Sequence, residues 1–400
     1  MMFNVKLLWP ACALVAAAVC VAAQQLPPTG TAPPASASPD TTLPITAVRP
    51  IEPPAAPLPA EAASAGETQF SFLVYGDSRS QVDGQALQPD HGIVVDTMVA
   101  KIKELSSTAF PVRFVLQTGD AVANGTNGPA WNVSFSPLVE KLTRDAGVPY
   151  FLTAGNHDVA FSLDSRPIGL RNLLSALSRL IPPEGSPRRL DDYPTYAIGY
   201  GNLFAIAIDS NLAADPVQLA WVTDQLEHLD RVRYRHIVVF FHHPPFSSGP
   251  HGGASPGPTV RTDDNIERQT AAIRTLYTPL FRRFHVRITL SGHDHFYDHW
   301  IERYADAGIT YRRDDVVTGG GGAPIYTYRG EPDVRAYLAA GTSENVRVEH
   351  PMRPGSTVAE NPHHFVVIQV DGGRLSLEVI GTGPADYKPY GDRSGVQLND

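Results

Sequence analysis

Apolar and polar positions along this chain are arranged in two patterns, and each pattern predicts a different kind of element. Residues 69–75 form a mostly apolar run that ends at a glycine, which is typical of a buried strand. Residues 216–229 begin with a proline and carry Leu219, Val222 and Leu226 at helical spacing, which predicts an amphipathic helix.

The same reading along the chain predicts strands that alternate with helices, followed by a strand-rich end. Helices are predicted at 93–105, 135–144, 216–229 and 266–284. Strands are predicted at 69–75, 113–117, 150–152, 203–208, 237–241, 286–290, 315–318, 364–370 and 375–379. Such an alternation favours an α/β fold, in which ligands bind beyond the carboxyl ends of the strands.

The first 23 residues have the pattern of a secretory signal peptide. Lys6 precedes a largely apolar run, and Val21-Ala22-Ala23 supplies small residues for cleavage. An uncleaved membrane anchor and a lipoprotein attached through Cys20 are the alternatives. We expect a secreted or periplasmic protein with no stable membrane partner once the signal is cleaved. Cleavage after Ala23 would leave no cysteine, and therefore no disulfide and no thiolate ligand.

Residues 24–67 are rich in Pro, Ala, Ser and Thr and contain few large apolar side chains. Such a segment buries too little surface to offset its chain entropy, so we expect a disordered linker. The pattern then predicts one domain over residues 68–387 and a C-terminal tail over 388–400.

Composition and charge narrow the possible functions. Apolar residues make up 42% of the 400 positions and charged residues 18%, which is ordinary for a globular protein with a sizeable core. The formal net charge of -9 at pH 7 argues against a protein that grips nucleic acid.

Five polar motifs follow predicted strands, and together they indicate a metal site. They supply carboxylate, carboxamide and imidazole groups, which are ligands of divalent ions. Singly, each has a simpler explanation as a turn, a capped helix or a hydrogen-bonded histidine pair. Five of them at one sheet edge favour metal binding. They are Gly76-Asp77, Gly119-Asp120, Gly155-Asn156-His157-Asp158, His242-His243-Pro244 and Gly292-His293-Asp294-His295. If the last motif is extended, the His293 and His295 rings point to the same side.

In this order the motifs resemble those of the calcineurin-like metallophosphoesterase superfamily, over roughly residues 69–385. The run Phe241-His242-His243-Pro244-Pro245-Phe246-Ser247-Ser248, with His251, looks most similar to the purple acid phosphatase branch. The glycine-rich stretch 318–324 is similar to that branch as well.

The resemblance implies a four-layer α-β-β-α sandwich with two metal ions at the carboxyl ends of the central strands. Asp120 would bridge the ions, Asp77 and His295 would hold the first, and Asn156, His242 and His293 the second. The metals would be Zn, Mn, Fe or Mg. A metal-bound hydroxide would attack the phosphorus of a small-molecule phosphate ester. His157 would protonate the leaving alkoxide, with Asp158 orienting its ring.

The sequence departs from the family pattern beside the first metal. Arg79 stands where many members have a ligand histidine, and Ala123 stands where the purple phosphatases have a tyrosine. Arginine offers donors and no acceptor, so we expect Arg79 to bind a phosphate oxygen or to form a surface ion pair. His243 and His251 either contact phosphate or belong to the surrounding loop. Residues 160–193, which include Arg166, Arg171, Arg188 and Arg189, are either a substrate-selecting lid or a solvated loop.

Three functions are weighed on these grounds. The favoured one is an exported metal-dependent phosphoesterase, acting on monoesters or on diesters. A phosphate-ligand-binding protein on a degenerate phosphoesterase fold is the second, because one expected ligand is missing. A metallo-β-lactamase-like hydrolase is disfavoured, because the histidine-rich run 293–299 lies late in the chain and has the wrong spacing.

Overall fold

The computed structural model describes residues 47–79, 88–159, 164–252 and 266–382, together with a short strand at Val396–Gln397. Residues 1–23, most of the expected linker and nearly all of the expected tail lie outside these ranges. Among the described residues, no helix is both long and apolar enough to cross a membrane.

The elements follow the predicted alternation. The strands are β1 (Gln69–Tyr75), β2 (Val112–Gln117), β3 (Tyr150–Leu152), β4 (Arg189–Leu190), β5 (Thr195–Tyr200), β6 (Leu203–Ala207), β7 (His236–Phe240), β8 (Ile288–Ser291), β9 (Tyr297–Asp306), β10 (Ile309–Thr318), β11 (Arg347–Met352), β12 (His363–Asp371), β13 (Arg374–Thr382) and β14 (Val396–Gln397). The α-helices are α1 (Pro89–Leu105), α2 (Ser136–Glu140), α3 (Asn156–Val159), α4 (Arg166–Leu177), α5 (Pro216–Glu227), α6 (Arg268–Ala272), α7 (Thr278–Arg283) and α8 (Arg335–Ala340). Wider π-helical turns at Ala130–Phe135, Lys141–Asp145 and Ile273–Tyr277 flank α2 and join α6 to α7.

The fold is built on two mixed β-sheets. The six-stranded sheet has the order β14-β13-β12-β1-β2-β3, and its β1, β2 and β3 run parallel. The eight-stranded sheet has the order β11-β9-β10-β8-β7-β6-β5-β4, and its β10, β8, β7 and β6 run parallel. The parallel strands lie at the centre of the eight-stranded sheet and on one side of the six-stranded sheet, where β3 is the edge strand.

The sheets pack face to face between outer helices, because side chains alternate across each strand. Ala205 and Val238 join the main core together with residues of the six-stranded sheet. Their neighbours Ile206 and Ile237 join a second core with the helical side chains Val222, Ile273 and Phe281. On the far side, Val94, Met98 and Ile102 of α1 complete the main core. These are the four layers of the expected α-β-β-α sandwich.

The structure differs from the predicted elements at the long hairpin of β9 and β10. A strand was expected only at 315–318, and the residues before it include the charged Arg312, Arg313 and Asp314. Arg313 is instead fully buried, 2.9 Å from Asp315 and 3.1 Å from Glu302. Paired burial of this kind cannot be read from hydrophobic spacing.

Residues 47–67, expected as the end of a disordered linker, are ordered, and this part of the expectation is wrong. Ile51 is completely buried, and its N–H donates to the Ala176 carbonyl at 2.9 Å. Glu52 pairs with Arg179 at 2.8 Å, and Glu61 pairs with Arg188 at 2.8 Å. Isolated apolar and charged residues thus fix a proline-rich segment whose composition favours disorder.

The region 164–193, expected as a lid or a solvated loop, contains α4 and packs into the main core through Leu173 and Leu177. Arg166 pairs with the buried Asp209, and Arg188 pairs with Glu61. These two ion pairs connect the region to other described parts of the chain.

Candidate metal centre

The loops that carry the five motifs meet between the two sheets. The loops after β1, β2 and β3 come from one sheet, and those after β7 and β8 come from the other. Asp77, Asp120 and His242 offer ligand atoms within 4.8 Å of one another. The predicted convergence of the motifs at strand ends is therefore present in the structure.

Three of the site residues adopt left-handed backbone conformations, which non-glycine residues rarely do. Asp77, Asp120 and His293 have φ values of 55°, 56° and 73°. Backbone strain of this kind concentrates at functional sites, where the surrounding structure holds it in place. Residue 293 is therefore not extended, so the geometry on which the expected alignment of His293 and His295 depended is absent.

Two glycines allow the loops after β2 and β3 to approach closely. Gly119 has φ +100°, and a Cβ there would lie 2.7 Å from the backbone nitrogen of Gly155. A Cβ on Gly155 would lie 2.2 Å from both the backbone nitrogen and Oδ1 of Asp120. Only glycine fits at these two positions, and this explains why each metal-binding motif of the two loops includes one.

In the half of the site expected to hold the second metal, three further donor atoms surround His242 Nε2. Asn156 Oδ1 lies 2.9 Å from it, His293 Nδ1 lies 3.1 Å away and Asp120 Oδ1 lies 3.4 Å away. Ligands held about 2.1 Å from one ion, at octahedral to tetrahedral angles, lie about 3.0–3.4 Å apart. The donor set therefore fits a single divalent ion.

Each of the three imidazole ligands has one ring nitrogen fixed by an oxygen and the other turned to the site. His242 Nδ1 lies 2.9 Å from the Thr118 carbonyl, and His295 Nδ1 lies 2.6 Å from the Pro324 carbonyl. His293 Nε2 lies 2.7 Å from Glu267 Oε2. Such outer contacts set the tautomer and leave the inner nitrogen free to bind metal.

The half of the site expected to hold the first metal has fewer candidate ligands, and it contains the positively charged side chain of Arg79. Asp77 Oδ1 lies 3.4 Å from His295 Nε2 and, among the described residues, has no hydrogen-bond partner although it is fully buried. Such an unsatisfied acceptor fits a bound cation. Asp120 Oδ2 also faces this half, where Arg79 Nε lies 3.5 Å away. Arg79 is thus at the metal site and not in a surface ion pair.

Burial and neighbouring charges shift the pKa values of Asp77 and Asp120 in opposite directions. Burial, with the nearby Asp120 charge, raises the pKa of Asp77 to about 7. Burial also opposes ionisation of Asp120, but His242, His157 and Arg79 outweigh it and hold its pKa below the ordinary value. Two carboxylates in one buried site commonly diverge in this way.

His157 lies beside Asp120, with its Nε2 3.7 Å from Oδ2 of that carboxylate. Its Nδ1 lies 2.8 Å from the Ala123 carbonyl, so Nδ1 donates and Nε2 faces the site. Burial, with the Arg79 charge, lowers the pKa of His157. Position 123 is an alanine where the purple phosphatases have a tyrosine. Its backbone carbonyl nevertheless orients the His157 ring.

Asp158 does not orient the His157 ring as expected. Its carboxylate accepts hydrogen bonds from the backbone N–H groups of Asp120, Ala121, Val122 and Gly155 at 2.8–3.2 Å. These bonds join the loop after β2 to the loop after β3. Asp158 thus positions the backbone of two metal-binding loops.

Glu267 is a site residue that the sequence analysis missed. Its Oε2 binds His293 Nε2, and its Oε1 lies 2.7 Å from His251 Nδ1. Burial lowers the pKa of His251, but the Glu267 hydrogen bond and the nearby carboxylate charges of Asp294 and Glu267 together outweigh it, and the pKa lies above the ordinary value. His243 is also close, and its ring centre lies 4.4 Å from that of His293. A lone glutamate at the start of a predicted helix carries no motif that would have identified it.

The fold and the site together define a class. Donors from two facing sheets converge on one shared carboxylate with an imidazole beside it, which is an arrangement suited to metal-assisted hydrolysis at phosphorus. The chain belongs to the calcineurin-like phosphoesterase family, whose sequence profile matches residues 94–297. This family acts on phosphoester bonds, and the predicted membership is confirmed. No curated protein matches the chain.

One similar solved structure supports the fold. Purple acid phosphatase PPD1 from yellow lupin (Lupinus luteus) seeds is similar with a TM-score of 0.52 and 16% identity, over 80% of this chain and 52% of that one. GAP50, the anchor in the inner membrane complex of Plasmodium, gives a TM-score of 0.46 and 14% identity, over 83% of this chain and 89% of that one. The chain spans about half the length of the lupin phosphatase, and at this identity the likeness shows the fold alone.

Proposed function

We propose that this protein is an exported, metal-dependent phosphoesterase that hydrolyses small phosphate esters at a dinuclear site. One observation carries the proposal: Asp120 presents one oxygen to His242 and the other to the side of the site where Arg79 and His157 lie. Divalent ions held on either side of it would supply Lewis acidity and activated water for in-line displacement. Zn, Mn, Fe and Mg all suit these nitrogen and oxygen donors.

The residues around Asp120 have roles that follow from their chemistry. His157 turns Nε2 to the site, and as an imidazolium it can give that proton to a leaving alkoxide. Arg79 is permanently charged and offers donors to a phosphate oxygen that approaches the same carboxylate. Its side chain is 14% exposed, so it reaches the site from a mostly buried position.

Export is part of the proposal and rests on the N-terminal sequence pattern. The segment with Lys6, the apolar run and Val21-Ala22-Ala23 would direct secretion or passage to a periplasm. Expression of the full chain followed by N-terminal sequencing of the recovered protein tests this point. A mature protein that begins at Gln24 is expected, and an intact Met1 in the recovered protein would contradict cleavage.

The catalytic proposal is tested by measuring bound metal and then activity toward nitrophenyl phosphate and bis(nitrophenyl) phosphate. We expect turnover that is lost on chelation and restored by divalent ions. Asp120→Asn should retain the fold and lose activity by at least about a hundredfold, because the shared carboxylate loses its charge. Asp224→Asn is the matched control, because Asp224 is an exposed residue that pairs with His228. The ratio of the two rates decides between monoesterase and diesterase.

A phosphate-ligand-binding protein on a degenerate fold is the second candidate. Arg79 and Ala123, at the positions of two familiar ligands, are the observation that favours it. Stable binding of two metal equivalents and of phosphate, without hydrolysis of either ester, would replace the enzymatic proposal with this one.

A further inference from the structure

We propose that Arg79 makes the two halves of the metal centre unequal, so that the first half binds its ion much more weakly than the second. The inference rests on the proposed metal-binding function and adds to it a specific order of metal loading. The first half is Asp77, His295 and Asp120 Oδ2, and the second half is Asn156, His242, His293 and Asp120 Oδ1.

The shared carboxylate faces two different environments. Asp120 Oδ1 is 3.4 Å from His242 Nε2, where imidazole and amide donors gather. Asp120 Oδ2 is 3.5 Å from Arg79 Nε, and a guanidinium stays protonated in any protein environment. The oxygen that the first ion needs therefore already faces a positive charge. The oxygen that the second ion needs does not face Arg79 in this way.

Arg79 is held close to the site by its own backbone. Its N–H donates to the Asp120 carbonyl at 3.0 Å, and its Nε is buried without a hydrogen bond among the described residues. The charge is thus mostly buried, and among the described residues its ion-pair contact is with Asp120. A divalent ion bound between Asp77 and Asp120 would experience this repulsion at short range, where solvent screens it poorly.

The number of protein groups that can bind metal also favours the second half. The second half offers four protein donors, whereas the first offers three in the described part of the chain. Asp77 Oδ1 is nevertheless buried and unpaired among the described residues, so a cation still gains by binding there. The first half is therefore weakened and not abolished, and its occupancy follows the free metal concentration.

Titration calorimetry and electron paramagnetic resonance with Mn²⁺ test the inference on the metal-free full chain. In the wild type we expect two binding steps with dissociation constants at least about tenfold apart, a difference of about 1.4 kcal/mol. At one equivalent of Mn²⁺ the spectrum should be that of an isolated ion, and exchange coupling should appear only at excess Mn²⁺.

Three substitutions at Arg79 separate charge from coordination. Arg79→Met removes the charge and should tighten the weaker step by about tenfold or more, since repulsion falls with the charge product. Arg79→His removes the charge and adds a metal ligand, so it should tighten the weaker metal-binding step further. Arg79→Lys keeps the charge and should leave the weaker step within about threefold of the wild type. Arg283→Met is the control, because Arg283 pairs with Glu227 on the exposed surface. Circular dichroism establishes that each variant is folded.

Two results would overturn the inference. One is equal affinity for both ions in the wild type, and the other is an unchanged weaker step in folded Arg79→Met. In either case metal-dependent hydrolysis can persist, and the proposed function would stand. A wild type that binds no Mn²⁺ would instead refute both the inference and the metal-dependent function.

Discussion

Replacing Asp158 with alanine should destabilise the metal-free protein strongly, although the residue is not expected to touch metal or substrate. Its side chain is completely buried, and its carboxylate accepts four backbone N–H groups. A typical hydrogen bond contributes about 0.5–1.5 kcal/mol, and a buried donor left without a partner costs about 1–3 kcal/mol. These contributions are not additive, and water can enter part of the space. We therefore expect a loss of about 3–5 kcal/mol for Asp158→Ala.

Urea unfolding of the metal-free protein, followed by circular dichroism, measures this loss. Asp215→Ala is the matched control, because Asp215 accepts two backbone N–H groups at the partly exposed start of α5. Loss of such an N-cap costs about 1 kcal/mol. If Asp158→Ala lost no more stability than Asp215→Ala, the assignment of Asp158 as the link between the two loops would be refuted.

Asp158→Asn distinguishes this role from the orientation of His157. An amide keeps one acceptor oxygen but directs an NH₂ group at backbone donors, so we expect stability and metal affinity to fall together. Unchanged stability combined with a large loss of turnover would instead assign Asp158 to the His157 ring.

The remaining predictions concern pH, the outer contacts of the ligands, and two tightly packed positions. Burial raises the pKa of Asp77 to about 7 and that of Asp158 to about 8, so the folded metal-free protein retains protons that the unfolded chain releases. Buried histidines with lowered pKa values, such as His91 and His295, act in the opposite direction below about pH 6.5. Stability should therefore fall between about pH 6.5 and about pH 8, by up to about 1.4 kcal/mol per unit for each carboxyl group, in urea titrations across that range. A flat profile would contradict the raised values. Glu267→Gln should weaken binding of the tighter Mn²⁺ by about 10- to 100-fold in calorimetry, because the amide fixes the His293 tautomer less firmly. Equal affinity in that variant would remove Glu267 from the site. Arg313→Met should lower the free energy of unfolding by about 3–5 kcal/mol, because Glu302 and Asp315 would remain buried without their partner. Gly119→Ala should lower metal affinity even where the protein folds, because its Cβ would separate the loops after β2 and β3; calorimetry on a folded variant with wild-type affinity would show otherwise.

The strands and their terminal motifs were predictable because both are local properties of the sequence. The apolar runs of β1, β2 and β7 each last about as long as the strand does. A glycine and an aspartate lie just beyond β1 and β2, and His242 lies just beyond β7. The helix over Pro216–Glu227 was equally clear, because its proline and apolar stripe lie within four turns. Periodicity of this kind is decided by neighbours along the chain.

The packing of residues 47–67 and the burial of Arg313 were not predicted, for the opposite reason. Ile51 is a single apolar residue among prolines, and Arg313 is a charge among charges. Each is buried because a partner far away in sequence covers it, namely the backbone of Ala176 and the carboxylate of Glu302. No pattern within a short window contains that information.

The sequence by itself therefore determined the class of fold, the sheet edge that holds the site and the residue types that reach it. Tertiary structure alone decided which atoms face each other there. Asp77 Oδ2 accepts the N–H of His293 at 2.9 Å across 216 positions of sequence, and Glu267 fixes the tautomer of the same histidine from another loop. Tertiary structure also placed Arg79 beside Asp120 Oδ2. The physical reason is that strand and helix formation depends on local spacing, whereas the direction of a ring nitrogen or a carboxylate oxygen depends on loops brought together by the packed sheets.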